Sequence, residues 1–169
     1  MTITLPTLIN NLEALLVELE SSWPDQVSQA CADSLALIEE RITTQGLDDT
    51  GKALKPYTDA YLRFKSDPKR FKRGRELGLG SSRYTGKVDY MLIGEFWRDV
   101  QVLRVEQNGD LVEAVGGVRL PINKSKLESL NKRDGLVLDM SDVEKNQVHT
   151  NTSMRIFAII ERHFPDFNA

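Results

Sequence analysis

The stretch from Lys52 to Lys87 holds eleven Lys/Arg against three acidic residues, Asp59, Asp67 and Glu76, with few aliphatic side chains between them. A segment of that composition cannot bury enough apolar surface to form a core of its own. The core must therefore come from the two flanks, and residues 46–87 are read as an extended basic loop between them. Outside Lys52–Lys87 there remain 11 basic and 22 acidic residues, so a local +8 sits in a body of −11 and the two sum to −3. Such asymmetry suits a polyanion, or the acidic body of a neighbouring copy, as the partner of the loop.

At 169 residues the chain is expected to form one domain, 1–169, with helices over about 7–45 and a hairpin-containing core with a C-terminal helix over about 88–164. No run of apolar residues approaches a membrane span. The opening residues MTITLPTLINNLE lack a basic leader, which argues against a secretory signal. One cysteine, Cys31, excludes an internal disulfide framework, and two histidines, His149 and His163, make a multi-histidine metal site hard to build. No cofactor, metal or catalytic residue is expected. Gly46-Leu47-Asp48-Asp49-Thr50-Gly51-Lys52 has the glycine and lysine spacing of a phosphate loop, but Ala53 stands where Ser or Thr is needed and the Asp48 and Asp49 carboxylates would repel a phosphate, so it reads as an Asp/Gly turn. Gly78-Leu79-Gly80 lacks the third glycine of a dinucleotide fingerprint.

Leu8, Ile9, Leu12, Leu15, Leu16 and Leu19 share one face of a helix that Thr7 would cap. A second apolar stripe, Val27, Cys31, Leu35, Ile38 and Ile42, follows Pro24 and ends at Gly46, a C′ glycine. The two stripes belong to an αα-hairpin or to one bent long helix. A short turn of helix fits Thr58–Phe64 and another fits Tyr90–Arg98. Asn108-Gly109 between the β-prone runs 100–106 and 111–118 predicts a type I′ hairpin. Gly116-Gly117 suggests a bulge or a strand end, and a third strand is expected over 119–122 with Pro121 at its edge. A polar helix follows over 124–131. Ser141 with Glu144 forms a capping-box pattern that opens the last helix, with Ile156, Phe157, Ile160 and Phe164 as its buried stripe. Trp23, Phe96 and Trp97 read as core or interface aromatics. The fold class is α+β: N-terminal amphipathic helices and a C-terminal helix packed on a small antiparallel sheet.

Within the basic loop, aromatic and cationic side chains interleave. Tyr57, Tyr61, Arg63, Lys65, Lys69, Arg70, Lys72, Arg73 and Arg75 form the expected assembly interface, because Arg and Tyr anchor protein interfaces well. The same mixture could stack bases and hold phosphates, which makes a nucleic-acid-binding accessory protein the alternative.

The order of these features resembles the tailed-bacteriophage virion-morphogenesis, tail-completion and neck (head–tail connector) proteins. The matching elements are the run Ile38-Glu39-Glu40-Arg41-Ile42 and the Gly46–Tyr57 connection with its Leu54-Lys55-Pro56-Tyr57 element. A basic loop follows, then Val88–Glu95, the hairpin, and a Ser141-capped last helix. The resemblance implies a non-enzymatic virion component present in the host cytoplasm during assembly. It would form a homo-oligomeric ring and meet other neck, portal-adaptor or tail proteins near packaged DNA.

Overall fold

A computed structural model describes residues 4–65, 88, 90 and 95–165. The architecture is α+β. The elements in chain order are helix α1 (Leu5–Glu40), a π-helical turn (Arg41–Gln45), α2 (Asp59–Lys65), α3 (Glu95–Asp99), strands β1 (Val100–Asn108) and β2 (Leu111–Val118), α4 (Pro121–Asp134) and α5 (Asp142–His163).

The two N-terminal stripes lie on one helix of 36 residues with Pro24 inside it. Pro24 leaves one helical carbonyl without its donor, yet the chain does not fold back there. Tertiary contact explains the continuity. Helix α5 runs antiparallel along α1 and ties it on both sides of Pro24: Glu18 to Arg162 at 2.5 Å, and Asp33 to Arg155 at 2.8 Å. Gln26 Oε1 also accepts from Arg155. The helix starts after Thr4 rather than Thr7, with no side-chain cap. It ends as expected, with Gly46 left-handed at φ 69° and its N–H donated to the Arg41 and Ile42 carbonyls.

The hairpin forms, but its turn is not the expected type I′: Asn108 pairs with Leu111 at the end of β1, the loop is Gly109-Asp110, and of the two only Gly109 has a positive φ, 63°. Gly109→Val should cost about 1 kcal/mol or more, because a β-branched residue resists positive φ. An unchanged melting temperature would contradict this. The bulge lies elsewhere than expected. The register slips on β1 between Val102 and Arg104, so Leu103 is the extra residue, while Gly116 and Gly117 pair regularly with Val102 and Gln101. Gly116 has a different role: a Cβ there would stand 3.0 Å from the Leu35 methyls. The glycine lets α1 lie close on the sheet.

The expected third strand is absent. Pro121 instead occupies the first turn of α4, where its missing N–H costs nothing, and the sheet among the described residues has two strands. Of the helix expected over Tyr90–Arg98, the described part is Glu95–Asp99, while residues 91–94 lie outside the described residues and Tyr90 has φ 50°. The last helix carries the predicted capping box, Ser141 with Glu144, and runs through Asn151 without interruption. Its buried stripe is shifted. Ile159 is buried and Phe157 is 58% exposed, because the side facing α1 is set by Arg155, Ile159 and Arg162 at helical spacing.

The core gathers at one end of α1. Ile38 and Ile42 meet Leu54, Tyr57, Val88, Tyr90, Phe96, Trp97, Val118 and Val137. The first part of the supposed loop is thus packed. Leu54 and Tyr57 are buried, and Leu47 bridges Ala53 across a turn.

Candidate functional site

Three arrangements around that core carry the polar chemistry. The first is Arg41, buried at the end of α1. Its Nε donates to Glu144 Oε1 at 2.8 Å, Nη1 to the Leu47 carbonyl at 3.1 Å and Nη2 to the Asp139 carbonyl at 2.7 Å. One guanidinium therefore joins α1, the 46–54 turn, the 135–141 connection and the start of α5. Glu144 spends its other oxygen on the Ser141 N–H, closing the capping box.

The second is Asp99, buried at the end of α3. Its Oδ2 accepts from the Leu120 N–H at 2.7 Å and from Asn123 Nδ2 at 3.1 Å. Leu120 is the N-cap of α4 and has no side chain able to cap it. The carboxylate of α3 does that work, at the helix end that favours an anion. Burial works to raise the Asp99 pKa, but the hydrogen bonds from Leu120 and Asn123, with Arg119 nearby, hold it below the usual carboxylate range. A depressed folded value means the stabilisation is complete above the unfolded value of about 4. It is lost as pH falls through the folded value. Asp99→Asn should therefore lower stability at pH 7 by about 1–3 kcal/mol and flatten the acid limb of a urea-midpoint profile; an acid limb of unchanged slope would contradict the assignment.

The third is an aromatic–cationic cluster. The Tyr57 hydroxyl accepts from the Tyr90 N–H at 2.8 Å, and the Tyr90 hydroxyl donates to Asp134 Oδ2 at 2.6 Å. Burial and the Asp134 carboxylate push the Tyr90 phenol up. The Arg133 guanidinium lies 5.7 Å from the Tyr57 ring centre and 5.4 Å from that of Tyr90. Tyr57, Tyr61, Tyr90, Phe96, Leu130 and Arg133 line a cavity of about 750 Å³.

The expected interface residues divide. Tyr57 is a core residue, which removes it from any exposed anchor set; its ring is needed between Tyr90 and Arg133. Tyr61 is half-buried, its ring centre 4.7 Å from that of Tyr57 with the planes tilted by 49°. Arg63 is exposed on α2 and Lys65 ends that helix. Lys69, Arg70, Lys72, Arg73 and Arg75 lie outside the described residues. Asn108 and Gly109 sit at the exposed hairpin tip. Asp48 accepts from the Thr50 and Lys52 amides, the Asp/Gly turn expected there. Cys31 is half-buried beside the sheet, its thiol pushed up by burial. His163 bonds Glu18 at 2.7 Å.

Sequence reasoning missed Asp99, Asn123 and the Arg133–Asp134 pair. Only Pro121, which marks a helix start in need of a cap, hinted at any of them. No group of His, Cys, Asp or Glu among the described residues is arranged to hold a metal ion. No described helix is long and apolar enough to cross a membrane.

No protein-family model, curated protein or solved structure matches this chain.

Proposed function

We propose that the chain is a non-enzymatic structural subunit of a tailed-bacteriophage particle, forming a ring at the head–tail junction or completing the tail. The observation that carries this reading is the hairpin. Its two strands pair only with each other among the described residues, and Leu103, Val105, Leu111 and Val115 are exposed along it. A two-stranded sheet is marginal alone, and unpaired edges are templates for a neighbour's strand. Repeating one such contact head to tail closes into a ring when the rotation allows it. The buried polar groups described above serve the fold: Arg41 and Asp99 spend their charges on backbone and helix ends. The resemblance at Ile38–Ile42, Gly46–Tyr57 and Ser141 supplies the phage context.

Electron microscopy and light scattering of the purified chain test the reading, together with complementation of a phage lacking it. Closed rings and restored head–tail joining are expected. A chain that stays monomeric and binds DNA with a steep salt dependence would overturn it in favour of the nucleic-acid alternative.

A further inference from the structure

We infer that the amino-terminal half of α1 is the surface on which a second copy of this chain docks its basic segment, residues 66–87. The inference rests on the proposed ring assembly and names its contact.

Leu5, Ile9, Leu12, Leu16, Leu19 and Trp23 recur at alternating steps of four and three residues, the spacing of a helix seam that packs against a partner. Farther along, the hairpin lies against Cys31 and Leu35. Leu19 of the seam is half-buried, and the rest from Leu5 to Trp23 is uncovered, with Leu5 69% and Leu16 58% exposed. The helix's own charge is of one sign. Helix α1 carries seven acidic residues and no Lys, Arg or His. Glu18 and Asp33 are paired to α5, whereas Glu13, Glu20 and Asp25 are exposed and pair with no cation among the described residues.

A partner for this face must be basic and carry apolar side chains. Residues 66–87 hold seven Lys/Arg against Asp67 and Glu76, with Phe71, Leu77 and Tyr84 among them. Two copies of α1 packed on each other would instead crowd carboxylates together.

The segment of the same chain can reach Trp23, Leu19 and Leu16, about 22–33 Å from Ile38, but not the far end of the seam at Leu5 and Ile9. Tyr61 and Leu62 before it pack on the core around Ile38 and Ile42, and Val88 after it belongs to that core. Its 22 residues, doubled back on themselves, reach about 37 Å from those anchors at ~3.4 Å per residue. Leu5 lies about 50 Å from Ile38 along α1 at ~1.5 Å per residue. A second copy must supply the segment that covers Leu5 and Ile9, and the contact is then head-to-tail.

Two variants of the full chain test this by sedimentation at low salt. One is Glu13→Arg with Glu20→Arg, which spoils the face and leaves the segment intact. The other is Arg70→Glu, Lys72→Glu and Arg73→Glu, which does the reverse. Each alone should self-associate at least tenfold more weakly than the parent chain. Mixed in equal amounts they keep one intact face and one intact segment, and should form a 1:1 heterodimer that grows no further. Circular dichroism checks helix content; if a charge reversal disturbs it, Glu13→Gln with Glu20→Gln repeats the comparison. Unweakened association of either variant, or a mixture that stays monomeric, overturns the inference while leaving ring assembly standing. A parent chain that never associates overturns the assembly reading as well.

Discussion

Arg41→Ala should lower the stability of the fold by about 3–5 kcal/mol, the cost of leaving a buried partner charge uncompensated. The substitution strands Glu144, whose side chain is 8% exposed, and frees the Leu47 and Asp139 carbonyls at the same time. Four pieces of chain lose their common tie in one step. Urea denaturation measures it directly. Arg41→Lys should recover only part of the loss, because an ammonium cannot present a planar fork to three acceptors at once. Replacing Arg41 and Glu144 together by Met and Leu should cost less than Arg41→Ala, because no charge is left stranded, although the Leu47 and Asp139 carbonyls and the capping box are still lost. If the double replacement is as damaging as the single one, the ion pair is not what sets the cost.

Trp97→Ala should cost about 3–5 kcal/mol, the range for emptying a buried aromatic site. Trp97 is 4% exposed, stands edge-on to Phe96 with ring centres 5.1 Å apart, and belongs to the core that holds Ile38 and Ile42. The other tryptophan gives the contrast. Trp23 is 38% exposed on the uncovered face of α1, so Trp23→Ala should change folding stability by less than about 1 kcal/mol and act on association instead. Thermal melts of the two variants under one buffer decide the matter; equal losses would contradict the burial difference.

Local chemistry alone determined several features of this chain. Gly109 set the hairpin because its positive φ is open to glycine and resisted by residues with a Cβ. Ser141 and Glu144 set the start of α5 because their side chains satisfy each other's backbone donors within one turn. Gly46 set the end of the π-helical turn that follows α1, and the apolar spacing marked which face of α1 seeks cover. Each of these depends on neighbours a few residues apart, so each is written in the sequence.

Tertiary structure decided the rest. Whether Pro24 breaks α1 depended on Arg155 and Arg162 of α5 holding the helix on both sides of it. The residues after β2 could serve as a strand until the Asp99 carboxylate, more than twenty residues earlier, was placed to cap α4 at Leu120. Phe157 and Ile159 are equally apolar, and only the side on which α1 packs separates the exposed one from the buried one. Tyr57 looked like part of a solvated basic loop because its partners, Tyr90 and Arg133, are far away in sequence. The common reason is that burial and ion pairing belong to pairs of distant residues. A chain read alone shows what each side chain needs, and the fold decides which other residue, or which other copy, supplies it.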